Sequence, residues 1–111
     1  MSERSSSALV SVVIPVHDAA EYISDTLSTI LSQSLQDIEV IIIDDNSADD
    51  TLKLLQSFAA NDSRIRLLNN SQNIGAGASR NMGLKIASGE YIIFLDDDDY
   101  ADANMLKRMY D

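Results

Sequence analysis

The apolar positions of this chain come in short runs, and several of those runs end on acid. Leu9, Val10, Val12, Val13 and Ile14 form a β-branched run closed by Pro15, whose missing N–H suits a strand end, so the pattern predicts a strand over 9–14. The period then changes: Ile23, Leu27, Ile30 and Leu31 form the stripe of an amphipathic helix over 21–33. The run over 38–43 is nearly continuous, which predicts a strand buried on both faces, and it is closed by Asp44, Asp45, Asn46 and Ser47. Asp49 or Asp50 can cap a helix carrying Leu52, Leu55, Phe58 and Ala59 that ends near Asn61. Ile65 and Leu67 alternate with arginines in a short edge strand over 64–69. After Gly75 and Gly77 a small-residue helix with Ala78, Met82 and Ile86 stops at Ser88 and Gly89. A fourth strand over 91–95 runs straight into Asp96, Asp97, Asp98 and Asp99, and a last helix opens at Asp102 with Met105, Leu106 and Met109.

Strand and helix alternate four times, which implies parallel strands joined by right-handed crossovers: an α/β, Rossmann-like sheet. In such sheets ligands bind beyond the carboxyl ends of the strands. The stretches 15–18, 44–47 and 96–99 all fall there, so one rim collects His17, Asp18 and six aspartates. Residues 1–8 read as a flexible tail and 9–111 as one folded unit.

Charge and composition narrow the chemistry. Eight Lys and Arg against 18 Asp and Glu leave −10, a field that repels phosphate backbones and argues against a nucleic-acid partner. No cysteine is present and His17 is the only histidine, so a metal has to be held by oxygen. No apolar run approaches the roughly 20 residues of a membrane span, and no signal region opens the chain. The expected location is cytoplasmic, with a parent protein associated with the inner face of the membrane.

Aspartates packed this closely repel one another, and a hard divalent cation, Mn²⁺ or Mg²⁺, offsets the repulsion. The plainer reading of Asp96 to Asp99 is a solvated loop leading into a helix; their place at a strand end opposite a second acidic pair favours metal. Asp45 can accept hydrogen bonds from a base or ribose, or belong to a βα turn that Ser47 or Asp49 closes. Arg80 can pair with a phosphate or base carbonyl, or with an acidic patch in a structural ion pair. His17 can lie against a flat ring or merely end its strand. Sequons at Asn61 and Asn69 are read as coincidental.

Taken together, Val12, Val13, Ile14 and Pro15, the Ile42 to Ser47 loop with Asp49 and Thr51, the stretch from Asn73, Ile74 and Gly75 to Arg80, Asn81, Met82 and Gly83, and Gly89, Glu90 and Tyr91 leading into Asp96 to Asp99 resemble the nucleotide-sugar-binding half of family 2 glycosyltransferases of the GT-A fold. The match covers Val10 to about Leu106. It implies an incomplete GT-A sheet in strand order 3-2-1-4. It implies metal-dependent transfer of a sugar from a uridine-linked donor to a saccharide or other hydroxyl acceptor, as in polysaccharide biosynthesis. Pro15, Val16, His17, Asp18 and Asp45 would line base and ribose, with Arg80 near base or diphosphate. Asp96, Asp97 and Asp98 would be the DxD-type motif, with Asp98 holding the metal and Asp97 facing the ribose. The general base is expected beyond Asp111, which leaves this chain inactive alone, and the apolar fourth strand is expected to join two copies through its open edge. His17 and Asp18 stand where the family often has Tyr and Asn, Asn46 where it often has Gly, and Ala103 near a frequent Pro.

Other classes fit less well. In a phosphoacceptor receiver domain the acidic pair follows the first strand, whereas here a strand and helix precede it. A dinucleotide fold lacks its third glycine after Gly75 and Gly77, and an EF-hand loop from Asp96 would put Ala101 and Lys107 where Gly and Glu are needed. A non-catalytic nucleotide- or metal-binding module remains the third alternative.

Overall fold

The computed structural model describes residues 8–99 and 101–110, so the tail expected over 1–8 lies, except for Ala8, outside the described residues. The chain alternates β1 (Val10–Val16), α1 (Ile23–Leu31), β2 (Ile38–Asp44), α2 (Thr51–Asn61), β3 (Ile65–Asn69), α3 (Ala76–Ile86), β4 (Tyr91–Phe94) and α4 (Met105–Tyr110). All four strands are parallel, in the order β3-β2-β1-β4. The expected architecture and strand order are both present.

The two central strands are buried along their whole length. Val12, Ile14 and Val16 of β1 and Val40 and Ile42 of β2 face one core, shared with Ile23, Leu27 and Ile30 of α1, Leu55 of α2 and Leu106 of α4. Val13, Ile41 and Ile43 face a smaller core completed by Met82 and Ile86 of α3. Period two along the strands therefore sorts one helix to one face and three to the other. A Cβ on Gly83 would lie 2.5 Å from Val13 Cγ1, so α3 sits against the sheet only because that position is bare.

Pro15 does not end its strand. β1 pairs with β2 as far as Val16 and Asp44, but with β4 only as far as Val13 and Phe94. The Leu9 and Val13 carbonyls accept from Tyr91 N and Leu95 N, while that of Val16 accepts from Asp45 N. Alternation therefore turns the Pro15 nitrogen toward β4 beyond its last rung, where a missing N–H loses no bond.

A buried polar knot closes the amino ends of the strands. Ser11 Oγ donates to Glu39 at 2.5 Å, Ser88 donates to the same carboxylate from N (2.6 Å) and Oγ (2.9 Å), and Gly89 N donates to Ser11 Oγ at 2.8 Å. Burial works against the Glu39 charge, but the bonds from Ser11 and Ser88, with Arg66 nearby, hold its carboxyl below the usual range.

Candidate functional site

At the opposite end, the loops after β1 and β2 are stitched together. Asp18 and Asn46 both adopt left-handed backbone, at φ 47° and 56°, a conformation Asp and Asn tolerate better than most residues. Asp18 N donates to Ser47 Oγ (2.9 Å) and Ala48 N returns a bond to Asp18 Oδ1 (2.7 Å). Ala19 N donates to Thr51 Oγ1 (2.8 Å) and Ala20 N to Asp49 (3.2 Å). Asp49 also accepts from Thr51 N and Thr51 Oγ1, and the Thr51 hydroxyl is the leading cause holding the Asp49 carboxyl below its usual range. So Asp49 closes this turn, although Asp50 is the residue just before α2.

Pro15 and Val16 are buried within β1, whereas His17 and Asp18 are exposed. The His17 ring bridges the two loops: Nδ1 donates to the Asp45 carbonyl at 2.8 Å and Nε2 lies 3.2 Å from the Asp18 carboxylate. A carbonyl only accepts, so Nδ1 carries a proton.

The first acidic pair is turned inward. Asp44 is fully buried and accepts from Ser47 Oγ (2.5 Å) and Asn69 Nδ2 (2.8 Å). Asp45 is also buried and accepts from Asn70 Nδ2 (3.0 Å), Ile74 N (2.9 Å) and Gly75 N (2.9 Å). Burial opposes its charge, but those three donors and the neighbouring His17 hold the Asp45 carboxyl below the usual range. Gly75, at φ 94°, lets the chain bend into α3 at the point where its N–H meets Asp45.

The second patch is turned outward. Asp96 N donates to Asp99 Oδ2 (2.8 Å) and Asp99 N to the Asp96 carbonyl (3.1 Å), closing a tight turn. Arg80 reaches across from α3 to Asp96 at 3.2 Å. This is the ion-pair reading of Arg80, placed on the rim where the ligand reading also needs it. Asp97 is half-buried and accepts from His17 N at 3.2 Å. Burial, then the charges of Asp98 and Asp96, push the Asp97 carboxyl up against that bond. The Asp97 charge, with partial burial and Asp98 behind it, likewise pushes up the phenol of Tyr22 at the start of α1.

Asp98 is exposed and makes no hydrogen bond or ion pair among the described residues. One carboxylate oxygen from each of Asp96, Asp98 and Asp99 lies within 4.8 Å of the others. Opposite ligands of an octahedral ion with bonds of about 2.1 Å stand about 4.2 Å apart, so this all-oxygen set fits a hard divalent cation after small side-chain rotations.

The structure therefore brings His17, Asp18, Arg80, Asp96, Asp97 and Asp98 to one rim, with Asp45 beneath it and Pro15 and Val16 supporting it from the strand. The partners of Asp45 went unread in the sequence. Asn70, Ile74 and Gly75 lie 25 to 30 residues from it and carry no local signal.

An open parallel sheet with helices on both faces and a carboxylate-and-arginine rim at its carboxyl edge has the form of a GT-A-type sugar-nucleotide domain. Residues 11–111 match glycosyl transferase family 2, and the chain belongs to that family. It is 38% identical over 104 residues to glycosyltransferase GlyG of Streptococcus pneumoniae, covering 94% of this chain and 35% of that protein. It is 45% identical over 92 residues to the UDP-Glc:alpha-D-GlcNAc-diphosphoundecaprenol beta-1,3-glucosyltransferase WfaP of Escherichia coli, covering 83% and 36%. S. aureus TarS 1-349 in complex with UDP-GlcNAc superposes with a TM-score of 0.84 at 31% identity, covering 91% of this chain and 30% of that one. The chain thus spans about a third of the length of these relatives. Family membership is that of a transferase and sets the receiver-domain alternative aside. Among the described residues no helix is long and apolar enough to cross a membrane.

Proposed function

We propose that residues 9–111 are the donor-binding half of a glycosyltransferase and hold a uridine diphosphate sugar on the rim through a Mn²⁺ or Mg²⁺ ion. The observation that carries this reading is Asp98: an exposed carboxylate with no partner among the described residues, beside Asp96 and Asp99 on the loop that Arg80 reaches. The naming of WfaP as a UDP-Glc enzyme and the TarS complex with UDP-GlcNAc support uridine as the base.

In this reading His17 and Asp18 border the base, Pro15, Val16 and Asp45 shape the floor under base and ribose, and Asp97 faces the ribose. Arg80, released from Asp96, takes a diphosphate oxygen. Asp98 would hold the cation, which would supply positive charge to a diphosphate leaving group. Transfer to a hydroxyl acceptor further requires a positioned base. Asp18, Asp44, Asp45 and Asp49 are engaged by backbone or side-chain donors of the rim itself. Hence this chain binds donor without transferring it, and the whole protein supplies the base. The setting is the cytoplasmic face of a membrane, which suits a lipid-linked acceptor such as the diphosphoundecaprenol in the name of WfaP.

The test is calorimetric titration of uridine diphosphate with and without Mn²⁺, repeated with Asp98→Asn. Mn²⁺ should strengthen binding in the native chain, and Asp98→Asn should return affinity to the metal-free level. Equal affinity in all conditions would defeat the assignment. Incubation with uridine-linked sugars and saccharide acceptors, followed by mass spectrometry, should yield no glycoside.

The outer edge of the sheet adds a partner. Tyr91, Ile92 and Phe94 of β4 are 50%, 37% and 44% exposed, and Val10, Tyr91, Ile92, Ile93 and Met109 line an open cleft of about 210 Å³. An apolar strand edge of this kind is a template for a second copy. Sedimentation should show a dimer that Ile92→Lys dissociates.

A further inference from the structure

One face of α1 is polar where the core pattern calls for apolar residues. Thr26 and Thr29 of α1, and Gln33 two residues past its end, lie at offsets 0, 3 and 7 beside the apolar stripe of Ile23, Leu27 and Ile30, and Thr26 and Gln33 are fully buried. Buried polar groups require partners, and four of the six side-chain bonds these residues make reach one distant segment, the other two staying within the helix and its end. Thr26 Oγ1 donates to the Asp97 carbonyl at 3.0 Å. Thr29 Oγ1 accepts from Ala101 N at 3.2 Å while donating to the Thr26 carbonyl at 2.8 Å. Gln33 Nε2 donates to the Asp102 carbonyl at 2.6 Å, and its Oε1 accepts from Leu106 N at 3.1 Å. Just beyond, Ser34 N donates to the Ala103 carbonyl at 2.7 Å.

Every one of these bonds to the segment 97–106 ends on its backbone. They hold the path of the loop without consuming a carboxylate, which leaves the Asp98 side chain outward while its neighbour is tied on both sides, to Thr26 through the carbonyl and to His17 through the carboxylate. Like-charged side chains would otherwise drive this turn open.

We infer that Thr26, Thr29 and Gln33 are positioning residues for the cation that holds the donor, a template on α1 and its carboxyl end that pre-orders the acidic loop for that cation. The inference rests on the donor-binding reading above. Loss of the template leaves the loop to be ordered at the moment of binding, which lowers affinity by the fraction of chains already in the competent arrangement.

The experiment compares the native chain with Thr26→Val, Thr29→Val and the pair, substitutions that keep shape and remove hydroxyls, and with Thr29→Ser as the conservative rescue. Uridine diphosphate is titrated with and without Mn²⁺, and backbone hydrogen exchange is followed at Ala101 and Leu106. The paired variant should exchange faster at Ala101 and lose about tenfold in Mn²⁺-dependent affinity, with metal-free affinity unchanged and Thr29→Ser close to native. A merely structural role would move both affinities together or neither. Unchanged exchange at Ala101, or faster exchange with native Mn²⁺-dependent affinity, would overturn the inference alone. Native chain that binds no uridine diphosphate in Mn²⁺ would overturn the donor-site reading and this inference with it. Should the pair fail to fold, the single variants carry the same comparison with about threefold effects.

Discussion

Asp44 and Asp45 on one loop and Asp96 to Asp99 on another look alike as residues: acid at the carboxyl end of an apolar strand. Their surroundings differ completely. The first pair is buried and supplied with donors from Ser47, Asn69, Asn70, Ile74 and Gly75, and among the described residues no buried side-chain oxygen or nitrogen lacks a partner. The second patch keeps Asp98 in solvent and pushes Asp97 toward its proton. A carboxylate satisfied by its own protein fastens one loop to another. A carboxylate left unsatisfied beside like charges retains its binding capacity for a ligand.

The largest expected contrast is in stability. Asp45→Ala would orphan three donors, two of them backbone N–H groups, and should cost about 3 kcal/mol or more in urea denaturation. Asp98→Asn should cost nothing, since it removes one of several repelling charges and breaks no bond. Equal losses from the two substitutions would dissolve the distinction between the patches.

Next in size is Arg80→Ala. Its pairing with Asp96 is largely exposed, and such pairs contribute little to stability. A charge-assisted bond to a bound diphosphate is stronger, so affinity for uridine diphosphate should fall about tenfold while the urea midpoint barely moves. A large stability loss without an affinity change would mark Arg80 as a structural ion pair only.

The smallest effect is in the pH profile. Glu39 and Asp45 are held low by the donors around them and Asp62 by the Arg64 guanidinium 2.8 Å away, so their stabilisation is complete above about pH 4 and is lost as pH falls through their folded values. Asp97 is raised: the folded chain binds that proton more tightly, which stabilises it below about pH 4 and fades as pH rises through the folded value. Between pH 7 and 4 the native chain should therefore gain stability relative to Asp97→Asn as pH falls. Parallel curves over that window would place Asp97 with the satisfied acids.

Much of this was legible beforehand because it depends on short-range pattern. Period two in β1 and β2, the helical stripe of α1 and the acid at each strand end carried the layered sheet and the location of its rim. Pro15 misled, because whether a proline ends a strand depends on how far each neighbouring strand extends, and pairing with β4 stops three residues before pairing with β2. Apart from Ser47, the donors to Asp44 and Asp45 went unread for a related reason: they arrive from β3 and the loop before α3, too far along the chain for spacing to reveal. The polar face of α1 did leave a trace. Thr26 and Thr29, with Gln33 just past the last turn, interrupt the buried side of an otherwise ordinary amphipathic helix, and such an interruption calls for partners elsewhere.

Gly83 turns this architecture into a lever. Val13 already occupies the space where a side chain at 83 would begin, and Arg80 is three residues earlier on the same helix, within one turn of that contact. A methyl group added at the sheet surface would lift α3 and carry the guanidinium away from Asp96, altering a site it never touches. Substitutions that retune donor affinity in this chain need not lie on the rim; they can lie underneath the helix, where a fraction of an ångström at the fulcrum becomes a displaced charge at the tip.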